Sequence, residues 1–567
     1  MASLQRKIKD GRPYWYVIEV ARVQGQPRVV RQRYLGTVAS IERALDEKTE
    51  PETIDHCEFG LTAAMWRLAG QVGVGQAVDA ACPKRGQGLS VGAYLQAAAV
   101  NRAVAPRSKR GFFAWYDSTV LSRVLPQEEE AWSSQRFWDA MHRVEEDKIE
   151  GIEQAVVTAA YERFGVEKEA LVLDATNFHT FIATTNDRAP VAARGHAKGG
   201  RNDLRLVGLA LACSTDHRIP LASQLVAGNS PDVRTFERTL PVLLRRLEAV
   251  GVDPASVTVV FDKGNNSGVN LERVAASGVG FVASLVPTQH PDLLDVPDER
   301  FSPVPGIDGV MAYRGNKEVF GAPRTVVVTR SQSFLAKQLV GLHQTRRRVE
   351  VQLTELDRLL SGRRHRMDRR ALEARVAEAL APRWMRSLYP VVMDGQKKDD
   401  ISLSWSFDPE AFEVLREREL GKRIVFTDRE HWTTEAIVAA YRSQWEVEAA
   451  FRQMKDPAHA AFRPIYHWTD QKIKVHALYS VIALMLVHLA WRQARGGGLE
   501  LSPREVMEAL ASIREATLLY APREPRGKPR VFQKLTRMDQ TQRTLFEILG
   551  LEALAPRVGN TAKWRGF

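Results

Sequence analysis

Residues 441–455 read YRSQWEVEAAFRQMK, and the helical phase of this stretch sets how the rest of the chain is organised. It follows an apolar strand, Arg423-Ile424-Val425-Phe426, and a Thr433-Thr434-Glu435 opening able to cap a helix. Neither Pro nor Gly interrupts residues 433–456, which predicts one long helix. At roughly 3.6 residues per turn, Tyr441, Gln444, Glu448 and Lys455 project to nearly the same side. Val447, Ala450, Phe451 and Met454 form the apolar stripe beside them. Glu448 is therefore expected at the edge of the buried face, where a carboxylate is costly unless a cation neutralises it. Glu446 is expected to point to solvent. On these residues alone, a surface helix with ordinary ion pairs fits as well as a metal-binding face.

Working outward, the period before this helix is that of strands. Leu171-Val172-Leu173-Asp174 reads as a short apolar strand ending in a carboxylate. Residues 204–214 and 219–227 read as two more strands, joined at Asp216-His217, and residues 232–250 as an amphipathic helix. Residues 257–261 form a fourth strand that ends at Asp262, and residues 280–286 a fifth. A three-strand meander, a crossover helix and further strands are the order of a ribonuclease-H-like α/β core, a mixed sheet flanked by helices. Asp174, Asp262 and Glu448 then become candidates for one site. All-oxygen ligand sets suit hard cations such as Mg²⁺ or Mn²⁺, and two such ions can serve an in-line phosphoryl transfer.

The chain has 567 residues, 44% hydrophobic and 26% charged, the composition of a multi-domain globular protein. A formal charge of +12 favours a polyanionic partner. Cys57, Cys82 and Cys213 form no CxxC pair, which argues against a zinc module and for a reducing compartment. The N-terminus is polar and mixed in charge, without a signal-peptide core, and the apolar run 477–491 reads as a buried helix. A cytoplasmic protein with no membrane partner is expected.

Six segments follow from these patterns: a basic β-hairpin (1–40), a helical N-terminal domain with a possible DNA-binding turn at Lys109 and Arg110 (41–168), the first part of the core (169–287), a largely helical insertion (288–422), the second part of the core with Glu448 (423–495), and a helical C-terminal region (496–567). In the insertion, Leu335, Leu339, Leu342, Val349, Leu353, Leu356 and Leu360 predict a helical hairpin arm, with Arg363, Arg364 and Arg366 at its tip. A solvated tip and a DNA grip both fit that charge. Trp405 reads as a buried aromatic, with base stacking as the alternative role.

The spacing of Tyr441, Gln444, Glu448 and Lys455 resembles the YREK signature of bacterial insertion-sequence transposases, with Gln444 where the signature has Arg. Leu173–Asn177 resembles that family's first-Asp strand. Gly195–Lys198 with Arg201–Leu204 is similar to its basic loop, and Gly228–Asp232 with Asp262-Lys263-Gly264 to its second-Asp block. Arg463–His467 is similar to the segment after its last acid. The resemblance implies a DDE transposase on a ribonuclease-H-like fold, with Asp174, Asp262 and Glu448 holding two Mg²⁺ (or Mn²⁺) ions. It implies that Tyr441, Gln444, Arg452, Lys455, Lys198, Arg201, Lys263 and Asn265 face DNA, and that a homodimer binds inverted-repeat ends, cuts them and joins them to target DNA. A metal-dependent nuclease without strand transfer, or an inert DNA-binding derivative, would keep the same surfaces.

Overall fold

The computed structural model describes residues 2–23, 26–46, 50–83, 88–166, 170–197, 201–361, 367–396, 400–522 and 529–556. Strands β1 (Ala2–Lys9), β2 (Arg12–Val23) and β3 (Gln26–Gly36) form an antiparallel sheet, followed by helix α1 (Val38–Asp46). The predicted hairpin is thus a three-stranded sheet, because residues 2–9 add an edge strand to it.

Strand β4 (Thr53–Glu58) leads into α2 (Gly60–Gln71), α3 (Val74–Ala81), α4 (Val91–Val104), α5 (Phe112–Asp117), α6 (Leu121–Val124), α7 (Ser134–His142) and α8 (Glu146–Phe164). Two serines cap these helices: Ser90 accepts from the backbone N–H of Ala93, and Ser133 from that of Arg136.

The main sheet opens with β5 (Ala170–His179), β6 (Leu206–Ser214) and β7 (Pro220–Ala227), an antiparallel meander. Helix α9 (Asp232–Ala249) crosses to β8 (Thr258–Phe261), which lies parallel to β5. Helix α10 (Gly268–Ala276) then leads to β9 (Gly280–Ser284), parallel to β8. The sheet does not stop there. After α11 (Pro291–Leu294), strands β10 (Ser302–Pro303), β11 (Val310–Val319) and β12 (Ala322–Ser331) extend it. The segment expected to be largely helical therefore begins as sheet. Its β-branched run Thr325–Val328 is buried in the main core.

The helical hairpin is present as α12 (Gln332–Leu360) and α13 (Arg369–Ala379). With α14 (Met385–Leu388), the hairpin β13 (Val391–Asp394) and β14 (Ser402–Trp405), and α15 (Pro409–Arg418), it closes a second core around Leu342, Val349, Leu353, Leu372 and Tyr389. Arg363, Arg364 and Arg366 lie outside the described residues. The chain re-enters the main sheet through β15 (Lys422–Thr427), between β12 and β9.

The single helix expected over 433–456 is two helices, α16 (Thr434–Arg442) and α17 (Gln444–Lys455). Ser443 makes the break: its hydroxyl donates to the carbonyl of Ala440 at 2.6 Å, a back-bond that bends helices. Helix α18 (Asp470–Gly496) is long and apolar enough to cross a membrane, yet 94% of its apolar window is buried inside the protein. It packs on α2, α4, α8 and β7, so the N-terminal helices and the main sheet share one core. After α19 (Pro503–Ala511), strands β16 (Arg514–Tyr520) and β17 (Arg530–Leu535) pair with β4, and α20 (Gln540–Ile548) follows. The C-terminal region expected to be helical also carries two strands, because β4 supplies a partner from residues 53–58.

Candidate active site

Strand register brings the first two acids together. β5 and β8 pair in parallel as Ala170–Thr258, Leu171–Val259 and Val172–Val260. Asp174 and Asp262 each stand two residues beyond the last of these pairs, so both lie on the face of Val172 and Val260. Adjacent strands are about 4.8 Å apart. Asp262 ends its strand as expected, whereas Asp174 sits mid-strand because β5 runs on to His179 against β6. Asp262 accepts a hydrogen bond from the hydroxyl of Ser284, at the end of β9, at 3.0 Å. Asp174 accepts one from the backbone N–H of Ala175 at 2.7 Å.

Helix α17 lies over β5 and β6, and α16 over β9. The apolar stripe is where the helical phase puts it: Val447, Ala450, Phe451 and Met454 are buried. Glu448 is exposed and borders a cavity of about 480 Å³ together with Asp262, Ser284, Tyr441 and Gln444. Burial raises the Tyr441 hydroxyl pKa, and the carboxylates of Asp262 and Glu448 push it the same way. The Arg423 guanidinium, 5.2 Å from the Tyr441 ring centre, and a hydrogen bond with Ser284 oppose that shift.

The far wall comes from the insertion and β15. Lys337, Arg383, Trp384, Lys422 and Arg423 line it, with Lys263 and Arg442 on the near side. The cavity thus has six cationic side chains against Asp262, Glu419 and Glu448. Trp384 has a left-handed backbone (φ 69°), donates its indole N–H to Glu419 at 2.8 Å, and carries the Arg383 guanidinium 4.2 Å from its ring centre. Trp384 and Trp445, not Trp405, are the tryptophans that line the cavity. Trp405 is half-buried and packs 6.1 Å from the Tyr389 ring against the second core. None of the wall cations was singled out from sequence; Arg423 opened a quoted strand, and only the fold turns it toward Glu448.

Several expected DNA contacts fall elsewhere. Lys109 is turned inward: its ammonium donates to the Tyr479 hydroxyl at 2.7 Å, and burial holds its pKa well below the usual lysine range. Arg110 is exposed. Asn265 is buried in a tight turn, where its carbonyl accepts from Asn270 at 2.9 Å. Lys263 stays exposed at the cavity itself, Arg452 is exposed, and Lys455 donates to the Thr176 hydroxyl at 2.8 Å, tying α17 to β5. Arg201 is exposed and held by Asp203 at 2.8 Å. Lys198 lies outside the described residues.

The largest correction concerns Glu446. It is buried, not solvent-facing, and pairs with Arg218 from the β6–β7 turn. Arg218 is sandwiched between Trp445 and Trp491, its guanidinium 4.4 and 5.0 Å from their ring centres. Burial raises the Glu446 pKa, and Arg218 pulls it back only in part.

The donors of the three acids are all carboxylate oxygens, which fits a hard divalent cation. Among the described residues no three His, Cys, Asp or Glu side chains stand close enough to hold a metal ion. Carboxylates without a cation repel one another, so a gathered triad would need the ion that neutralises it.

A family model described as a transposase DDE domain matches residues 166–385, a stretch that holds Asp174 and Asp262 and ends before Glu448. Comparison with curated proteins gives no match. Among solved structures, the chain is similar to a piggyBac transposase synaptic complex with hairpin DNA, at 9% identity and a TM-score of 0.38, over 89% of this chain and 86% of that one. The family match supports a DDE transposase domain within this chain.

Proposed function

We propose that the protein is a DNA transposase that cuts the ends of its own element and joins them to target DNA. The observation that carries this reading is the cavity that Asp262 and Glu448 both line beneath a cationic wall, with Asp174 in register on the next strand. Asp174, Asp262 and Glu448 would hold Mg²⁺ or Mn²⁺, which would activate an attacking oxygen and stabilise a leaving one at phosphorus. Lys263, Arg423 and Arg442 would hold the phosphate backbone in the cavity, positioning DNA without reading its sequence. Tyr441 would donate its proton to a phosphate or carboxylate oxygen, since burial and the two acids keep it protonated. The sheet order β7-β6-β5-β8-β9 supports a ribonuclease-H-like core. A homodimer acting in the cytoplasm fits joining two ends of one element.

The test is cleavage of linear duplex DNA carrying the sequences that flank the gene, with Mg²⁺, with Ca²⁺ and with EDTA. Nicked and joined products in Mg²⁺ alone are expected. Cleavage in EDTA would overturn the metal reading, and cleavage without joined products would establish a nuclease instead. Duplex binding without cleavage under all three conditions would leave an inert derivative.

A further inference from the structure

The first 36 residues hold eight Lys and Arg against Asp10 and Glu19, a net +6 within a chain whose total is +12. Half of the formal excess therefore sits on about one-sixteenth of the sequence. These residues form β1, β2 and β3, and among the described residues neither hydrophobic core takes a side chain from them. Leu4, Ile8, Val29 and Tyr34 are all more than half exposed. A sheet that buries so little is not explained by folding alone.

Its two faces differ. Cross-strand partners share a face, so the pairs Arg12–Lys9, Tyr14–Lys7 and Tyr16–Tyr34 fall on one side. The rings are packed there: Tyr34 is 5.2 Å from Tyr16 and 5.9 Å from Tyr14, and the Lys7 ammonium lies 5.0 Å from the Tyr16 ring centre. Glu19, one of the two acids, pairs with Arg31 at 3.7 Å on the opposite side. The tyrosine face thus presents Lys7, Lys9 and Arg12 on a stiffened aromatic platform, while Arg6, Arg31 and Arg33 stand on the opposite face with Glu19.

We propose that this face grips duplex DNA, with Lys7, Lys9 and Arg12 on phosphates and the strands following the groove. The proposal rests on the transposase reading above and names the N-terminal element that holds the substrate. The B-DNA major groove, about 12 Å wide, admits a β-ribbon. Contacts of this kind position a duplex and do not specify its sequence. A second copy of the chain is the competing occupant, given the exposed apolar residues.

The experiment measures binding of the full chain to a labelled 30-bp duplex of arbitrary sequence across salt concentrations. Lys7→Ala/Lys9→Ala/Arg12→Ala should flatten the slope of log K against log salt by up to about 2.7, about 0.9 for each lost phosphate contact. The charge-keeping variant Lys7→Arg/Lys9→Arg/Arg12→Lys should restore the slope. An unchanged slope in the alanine variant, with wild type still binding and cleaving duplex, overturns the assignment alone. An unchanged slope with loss of a concentration-dependent dimer in sedimentation also overturns it, giving the face to a second copy. Wild-type protein that neither binds nor cuts duplex overturns the transposase reading and this inference with it.

Discussion

Glu446 and Glu448 stand two residues apart on α17 and live in opposite surroundings. Glu446 is sealed against the β6–β7 turn by Arg218, which is held between two indoles, with His488 bonding the Arg218 carbonyl at 2.7 Å. Glu448 stands exposed at a cavity beside Asp262 and its cationic wall. On the closed side every charge has a fixed partner from the protein. On the open side Glu448 and Lys263 are exposed at a cavity that an outside ion or phosphate can enter. One helix thus carries an anchor and a candidate ligand, and the difference lies in what the sheet puts opposite each.

The sharpest break between the two sides should be in activity. Glu448→Gln keeps the shape and removes the charge, so metal-dependent cleavage should fall by orders of magnitude while DNA binding survives. The melting temperature in metal-free buffer should hold or rise, since one repelling carboxylate is gone. Retained cleavage in Glu448→Gln would remove it from the proposed triad.

Next in size is a stability effect on the closed side. Glu446→Ala leaves the Arg218 guanidinium buried without its carboxylate, which should destabilise the fold by about 3–5 kcal/mol. Urea unfolding of the variant beside Glu448→Ala measures the contrast. Equal midpoints for the two would show that the Glu446–Arg218 pair anchors nothing.

The sequence made one side of this helix legible and hid the other. Period alone placed Val447, Ala450, Phe451 and Met454 inward and Glu448 at their edge, because those positions follow from helix geometry. It misplaced Glu446, because the residue that pulls this carboxylate inward is Arg218, more than two hundred positions away. The Ser443 break was equally hidden, since a serine in a helical pattern gives no sign of whether its hydroxyl will bond the chain behind it. The β5–β8 pair was readable because apolar runs ending near acids are local signals. The wall of Lys337, Arg383, Trp384 and Arg423 was not, because it forms only when the insertion closes over the sheet.

A pH experiment probes the closed side further. His488 is buried and its pKa is lowered from 6.5 to about 3, by burial first and by the charges of Arg218 and His217. The unfolded chain therefore binds a proton that the folded chain refuses between these values. Stability should fall as pH drops below about 6.5, and the loss should be complete near pH 3. Buried His467 and His476 add to the same trend. Glu446, with its raised pKa, contributes in the opposite sense, gaining stability as pH falls through its folded pKa. Denaturation midpoints from pH 7 to pH 4 should show a shallower decline in His488→Gln than in wild type. A parallel decline would mean that this imidazole titrates equally in both states.

The smallest expected effect belongs away from both sides, at the loop before β6. Arg201 and Asp203 make a two-pronged pair, both bonds 2.8 Å, with both side chains more than half exposed. The guanidinium holds the Asp203 carboxyl well below the usual carboxylate range. An exposed pair of this kind adds little to folding, because water and salt already screen each charge. Asp203→Asn should therefore leave the melting temperature unchanged. If Arg201 is a phosphate contact, it must exchange Asp203 for DNA each time the duplex binds. Removing the carboxylate abolishes that competition and a nearby repulsion, so affinity for duplex DNA should rise severalfold at low salt. The gain should shrink as salt is raised, since the charges involved are solvent-exposed. Arg201→Ala should weaken binding by a similar factor and flatten the salt slope by about 0.9. Unchanged affinity in both variants would leave Arg201 a partner of Asp203 and nothing more, and would confine the grip on DNA to the cavity wall and the N-terminal sheet.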